Sequence, residues 1–482
     1  MAAPHLPVRV RRGHRHRRLR RHEAPKGGRA LKKNVPTTAS PAPVVIVGAG
    51  LAGLSCAYHL KNPFILCESE QTPGGTARSY TVDGFTFDHT GHLLHLHNEY
   101  TRKLIRRLLP GNLRECARNA WIFSNGVYTR YPFQANLYGL PSKIVDECYL
   151  GLWEARRKYG DDPLRTNHRL TFAEWSERLF GKGISEHFMF PYNRKLWTVP
   201  PDTLTPDWCG QFVPQPRLQD VLVGAVTDRS TAFGYNVSFL YPHRGGIQVL
   251  SEAFAQKIGN VRLGCSLEKL LWQEKKAVLS SGEMLPYAHL VSTIPLPELL
   301  KRLSPFPREL GEAAGQLRWT SVLCVNLGVN RRNISDKSWI YFPEDKFPFY
   351  RVGFPMNFSP QTVPDGCSSM YVEISSPPEK MPASPNSRNA LLRRIREGLI
   401  ACNVLKRSDT FPVVSYLPIP YAYVIYDQRR RSALETIQPW LRARANTHSI
   451  GRYGAWKYSF MEEAILDGKE LAETLQKSSA AV

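Results

Sequence analysis

No apolar stretch of this 482-residue chain approaches the ~18 residues of a membrane span. The longest, at 44–54, has 11 residues and is broken by glycines. No apolar core segment follows the basic N-terminus, so it does not read as a secretory signal. Cysteine is sparse: nine residues, an odd number, with no C-x-x-C pair. That argues against a disulfide framework and fits reduced thiols in a cytoplasmic enzyme. Outside the first 43 residues no H-x-x-x-H spacing occurs, and no metal site is expected. A G-x-S-x-G elbow, paired catalytic carboxylates and internal repeats are also missing.

Acidic residues are few, 41 against 64 Lys and Arg, giving a formal charge of +23. About half of that, +11, falls on residues 1–43, where Glu23 is the single acid. This arm has prolines and glycines but no apolar periodicity, and it reads as a disordered basic extension. It lacks the interleaved aromatics of a nucleic-acid platform, so nucleic acid is not expected as a partner. The remaining body is moderately basic and suits an anionic small molecule. Its length predicts two or three domains.

The chain is organised around Val44-Val45-Ile46-Val47 and the glycines that follow, Gly48, Gly50 and Gly53. A buried β-branched strand, G-x-G-x-x-G spacing and a helical continuation make a dinucleotide cradle. The first glycine permits the turn, the second lets a pyrophosphate approach, and the third packs helix on strand. A second apolar run, Pro63 to Cys67, ends at Glu68, 20 residues beyond Gly48, where a carboxylate would accept from the adenosine ribose. Gly74, Gly75 and Arg78 then resemble the acidic-then-Gly-Gly signature of the FAD-binding amine-oxidase superfamily, which favours FAD over NAD.

Further along, Val82 to His92 reads as a hairpin closing into a loop with Gly91 and His92. Residues 98–110 read as a helix, and Asn125-Gly126 as a hairpin turn. Residues 141–190 are helical, with Ile144, Cys148, Leu152 and Ala155 near 3.6 spacing and a break at Pro191. A helix from Ile247 to Ile258, strands to Thr293, antiparallel strands from Thr320 to Ser375 and a last helix from Met461 to Gln476 complete the pattern. The expected class is α/β: a Rossmann-like, discontinuous FAD-binding domain (44–130, 241–300, 441–482), an inserted helical region (131–240) and an antiparallel-sheet substrate domain (301–440).

Over nearly all of 43–476 the chain resembles UDP-galactopyranose mutase of the eukaryotic type. The stretches that carry this are Tyr131-Pro132-Phe133-Gln134, Pro191-Tyr192-Asn193, Trp197-Thr198-Val199-Pro200, Arg244-Gly245-Gly246, Trp339 to Asp345, Pro348 to Arg351, and Gly451 to Tyr458. The resemblance implies interconversion of the pyranose and furanose forms of a sugar nucleotide by covalent catalysis at N5 of reduced FAD, with NAD(P)H as external reductant. It implies a UDP-sugar partner and leaves homo-oligomerisation open. By position, Arg351, Tyr341, Tyr423 and Tyr458 would hold the diphosphate, Arg452 the cofactor, and Asn236 the diphosphate or sugar. Phe188, Tyr192, Asn193 and Trp197 would form the uridine pocket, Tyr131 and Gln134 its entrance, and His92 would lie beside the flavin.

Two departures bear on the substrate. Phe212 stands where the family has a second diphosphate-binding arginine, with Arg194 and Arg217 as candidate substitutes. Glu462 stands where the family has an asparagine near the sugar, and a carboxylate there needs a partner. They leave the sugar open and keep a second reading in view, an FAD-dependent oxidoreductase of amine-oxidase or protoporphyrinogen-oxidase type. A third reading, a nucleic-acid- or membrane-binding factor built on the arm, ranks last.

Overall fold

The computed structural model describes residues 42–160, 162–166, 168–210, 213–228 and 236–480. The basic extension lies outside them, apart from its last two residues, and so does Phe212. Val44–Val47 is the middle strand of a five-stranded sheet ordered Thr447–Ser449, His289–Ser292, Val44–Val47, Phe64–Cys67, Val261–Arg262. Every pairing in it is parallel. Val45 and Val47 enter one core with Leu290, Leu296 and Ile437. Val44 and Ile46 enter another with Leu54, Leu250 and Ile465. A strand covered on both faces is apolar at every position rather than at alternate ones, which is the pattern the sequence carries.

The helices Leu51–His59, Gln248–Ile258 and Met461–Ala480 cover one face. Leu296–Lys301 and Gln428–Ala445 cover the other. Strand and first helix meet at the glycine turn. Gly48 has φ +97°, and a Cβ on Gly53 would stand 2.0 Å from the Gly48 carbonyl oxygen. Only glycine allows helix and turn to approach so closely.

A seven-stranded sheet stands beside this unit: Val413–Val424, Trp319–Val329, Ser368–Ser376, Arg351–Gly353, Trp339–Tyr341, Ala120–Ser124, Val127–Arg130. It is antiparallel except where Trp339–Tyr341 pairs in parallel with Ala120–Ser124, so the Asn125-Gly126 hairpin extends its edge. Against it pack the helices Ser142–Tyr159, Phe172–Ile184 and Phe190–Trp197. The expected stripe of Ile144, Cys148, Leu152 and Ala155 is the buried face of the first. Pro191 does not end the helical run. It sits in the first turn of Phe190–Trp197, directly after a wide turn over Ser185–Met189, and the widened turn lets the helical run pass through the proline.

Burial holds several imidazoles neutral. It pushes His89, His95 and His448 down to about 4 and His92 down to about 3. As pH falls below the usual 6.5, the unfolded chain protonates these rings while the folded chain does not, so stability present above 6.5 is lost on acidification. Asp88 acts in the opposite sense. Burial pushes its carboxyl up to about 6, although Ser79, Tyr241 and the Ile247 amide all donate to it. Four groups outweigh one. The thermal unfolding midpoint should fall steadily from about pH 6.5 to 4, and His448→Gln should make that fall shallower. Scanning fluorimetry across the window checks this, and a level midpoint would contradict it.

Candidate functional site

A cleft of about 570 Å³ runs between the two sheets, from Glu68 at one end to Arg351 at the other. At the Glu68 end, the 74–75 loop is bonded directly to the glycine turn, with the Gly74 amide donating to the Ala49 carbonyl at 2.8 Å. Gly50 occupies the N-cap of Leu51–His59, and no side chain caps the free amides there. A Cβ on Gly50 would meet only the Gly75 Cα, at 3.9 Å, so the space above it is a cradle. Arg78 lines the same space, and its buried Nε has no partner while Nη1 meets Glu70 at 3.3 Å. Glu68 is buried and accepts from the Ala49 amide at 2.7 Å and the Glu70 amide at 3.0 Å. Uncapped helix amides, an unsatisfied guanidinium and open space fit a pyrophosphate. These residues therefore fit the expected FAD.

At the other end, Arg351 and Glu373 are opposite one another across neighbouring strands. Arg351 donates from Nε to Glu373 at 2.6 Å and from Nη2 at 2.8 Å, and Glu373 is fully buried. Burial opposes the Arg351 charge, but the carboxylate more than offsets it and the guanidinium is held well above its ordinary value. Nη1 takes no part in that pair, and Arg351 lines the cleft. The Gly91 amide reaches the same carboxylate at 3.5 Å, linking the His92 loop to this pair. A Cβ on Gly91 would stand 2.3 Å from the Tyr371 hydroxyl, so that loop lies directly on Tyr371.

Tyr350, Tyr423 and Tyr458 line the cleft around Arg351. The Tyr350 and Tyr423 hydroxyls are 3.3 Å apart, and the Tyr423 and Tyr458 rings are stacked at 6.3 Å. Burial pushes all three phenols up, so they stay protonated donors at neutral pH. Arg452 supports this wall. It donates to the Ser459 and Ala422 carbonyls at 2.6 and 3.1 Å and lies over the faces of Tyr423 and Tyr458.

The other expected residues form a layer behind the tyrosines. Tyr131 packs on Tyr341, Tyr341 on Tyr192, and Tyr192 on both Phe188 and Tyr350. Trp197 is fully buried against Tyr423 and donates from its indole N–H to Asn193 Oδ1 at 3.1 Å. Gln134 donates to the Pro214 carbonyl at 2.8 Å. The Asn236 Oδ1 accepts from the His97 Nε2 at 2.9 Å on the surface, and Asn236 does not line the cleft. Arg217 is 79% exposed and paired with Asp220, and Arg194 is exposed. Glu462 has its partners: the His97 and Asn98 amides donate to it at 3.0 and 2.9 Å and Thr101 donates through its hydroxyl. It ties down the segment that enters the helix Glu99–Leu108, whose N-cap is Asn98, and does not line the cleft.

Glu373 and Tyr350 were not among the expected site residues. Glu373 left a signal, being the single charge in the otherwise uncharged strand Ser368–Ser376. Asp88 ties the Gly245-Gly246 loop to the cofactor end through Ser79, Tyr241 and the Ile247 amide. Gly50→Val should fold, since its Cβ has room, yet lose bound flavin because the side chain fills the cradle. Circular dichroism with flavin absorbance on the purified variant checks this, and a yellow Gly50→Val protein would contradict it.

A model of the family described as flavin containing amine oxidoreductase matches residues 51–476. Among solved structures, the chain is similar to reduced UDP-galactopyranose mutase, with TM-score 0.83 and 28% identity over 91% of this chain and 94% of that chain. It shares its fold with wild-type putrescine oxidase bound to putrescine, with TM-score 0.61 and 16% identity over 91% of this chain and 99% of that chain. A 128-residue stretch, 24% of this chain, is 31% identical to farnesylcysteine lyase of Arabidopsis thaliana. The chain spans 20% of the length of that curated relative. The family match takes in both ends of the cleft, and the chain belongs to the flavin-containing amine oxidoreductases as an FAD-dependent enzyme.

Proposed function

We propose that the enzyme interconverts the pyranose and furanose forms of a nucleoside diphosphate sugar, with NAD(P)H supplying the reducing equivalents that prime its cofactor. The observation that carries this reading is the Arg351–Glu373 pair on the cleft wall, which engages Nε and Nη2 of the guanidinium and not Nη1. A departing diphosphate needs a fixed cation and neutral hydrogen-bond donors. Arg351 is the cation, its fork held by Glu373, and Tyr423 and Tyr458 are the donors beside it. Reduced FAD, when bound, supplies a nucleophile for the anomeric carbon. His92, kept neutral by burial, adds no positive charge where that chemistry occurs. The aromatic layer from Phe188 to Tyr350 offers stacking faces for the base. The likeness to UDP-galactopyranose mutase supports the same reading.

A second reading, an oxidoreductase of the amine- or protoporphyrinogen-oxidase type, draws on the stacked Tyr423 and Tyr458, which could flank a flat or cationic substrate. Dithionite-reduced protein given UDP-galactopyranose should form the furanose, followed by chromatography. Hydrogen peroxide released in step with substrate loss, without furanose, would favour the second reading. Arg351→Lys keeps a charge beside Glu373 but loses the fork, and kcat/KM should fall about 10- to 100-fold. Phe212→Arg should tighten UDP binding, read by calorimetry, by about 10- to 100-fold through one added charge-assisted contact. An unchanged affinity would count against a diphosphate ligand near that position.

A further inference from the structure

Two thiols meet at the Glu68 end of the cleft. Cys67 is the last residue of Phe64–Cys67 and is fully buried. Cys265 follows Val261–Arg262 by three residues and is half-buried. The segment between folds back over the strand end. The Glu68 amide donates to the Arg262 carbonyl at 2.8 Å, the Cys265 amide to Glu68 at 2.7 Å, and the Gly264 amide to Glu70 at 3.0 Å. Those three bonds hold Cys265 beside the end of the Cys67 strand, close enough that the Cys265 thiol helps to push the Cys67 thiol up. Both line the cleft, next to the carboxylate expected at the adenosine ribose.

We propose that Cys67 and Cys265 form a reversible disulfide, made by a peroxide, that controls how tightly the cleft takes FAD. The balance is simple. The Cys265 sulfur attacks a peroxide oxygen, the O–O bond breaks, and one water leaves with Cys265 as a sulfenic acid. The Cys67 sulfur displaces that hydroxyl, the S–S bond forms, and a second water leaves. Two thiols lose two electrons and two protons, and one hydrogen peroxide becomes two waters. Cys265 is the entry point because it has the solvent access that Cys67 lacks, and burial pushes the Cys67 thiol up to about 12.

A disulfide holds its sulfurs at about 2.05 Å, well inside any thiol hydrogen bond. Closing it draws the wall of Cys265, Ser266 and Leu267 toward Cys67 and Glu68, and all five residues line the cleft. A ligand shaped to the open wall fits the closed one less well. Thermodynamic reciprocity then requires bound FAD to oppose the disulfide as much as the disulfide opposes FAD.

The test uses the purified full-length protein, with and without excess FAD, treated with hydrogen peroxide, quenched with N-ethylmaleimide and digested for mass spectrometry. The expected result is a cross-linked peptide pair joining Cys67 to Cys265, formed more slowly under excess FAD. Flavin fluorescence should report about tenfold weaker FAD binding by the oxidised protein, restored by dithiothreitol. Cys265→Ser should give no cross-link and an FAD affinity that peroxide does not change, while Cys367→Ser, which alters the other half-buried thiol, should behave as the parent. Absence of the cross-link overturns the proposal, and so does a cross-link that leaves FAD affinity unchanged. Neither outcome depends on which substrate the enzyme takes.

Discussion

The molecule depends on how closely the first helix lies on the turn that precedes it. With no Cβ on Gly53, the helix N-terminus reaches the end of Val44–Val47 and aims its free amides into the cleft. The 74–75 loop bonds to that same turn, and Glu68 reaches back to it from the neighbouring strand. Three chain segments thus converge on one short piece of backbone. The phosphate cradle is made by main-chain geometry, with Arg78 adding the charge.

The far end of the cleft is built from side chains. A buried carboxylate and guanidinium each lose hydration on folding, and such a pair is tolerated only when its geometry is good and its remaining donors find use. Arg351 and Glu373 meet that condition through two short bonds, with the Gly91 amide as a further donor. The pair therefore ties the large sheet to the His92 loop. Arg452 does comparable work for the tyrosine wall, spreading its charge over three rings and two carbonyls.

Much of this was legible from the chain because the relevant forces are local. The glycine spacing, the Asn125-Gly126 turn and the stripe from Ile144 to Ala155 each follow from backbone geometry or periodicity within one element. What could not be read is set by contacts between distant segments. The parallel pairing of Trp339–Tyr341 with Ala120–Ser124 joins residues more than 200 positions apart, and no local pattern encodes it. Glu462 appeared as a charge facing the sugar, but the His97 and Asn98 amides, the latter 364 positions earlier, claim it. Glu373 shows the reverse case: the lone charge was visible, and only the strand register revealed its partner.

The order of strands in the parallel sheet has a consequence for synthesis. Val44–Val47 emerges early from the ribosome, but its neighbour His289–Ser292 comes some 245 residues later and the edge strand Thr447–Ser449 later still. At translation rates of about 5–20 residues per second, the apolar first strand waits many seconds for the partners that cover it. Nascent chains of this enzyme therefore present a sticky, half-built sheet until Thr447–Ser449 and the helix Met461–Ala480 have been made, which makes them natural clients of chaperones and makes truncation ahead of those elements a route to aggregation rather than to a smaller active protein.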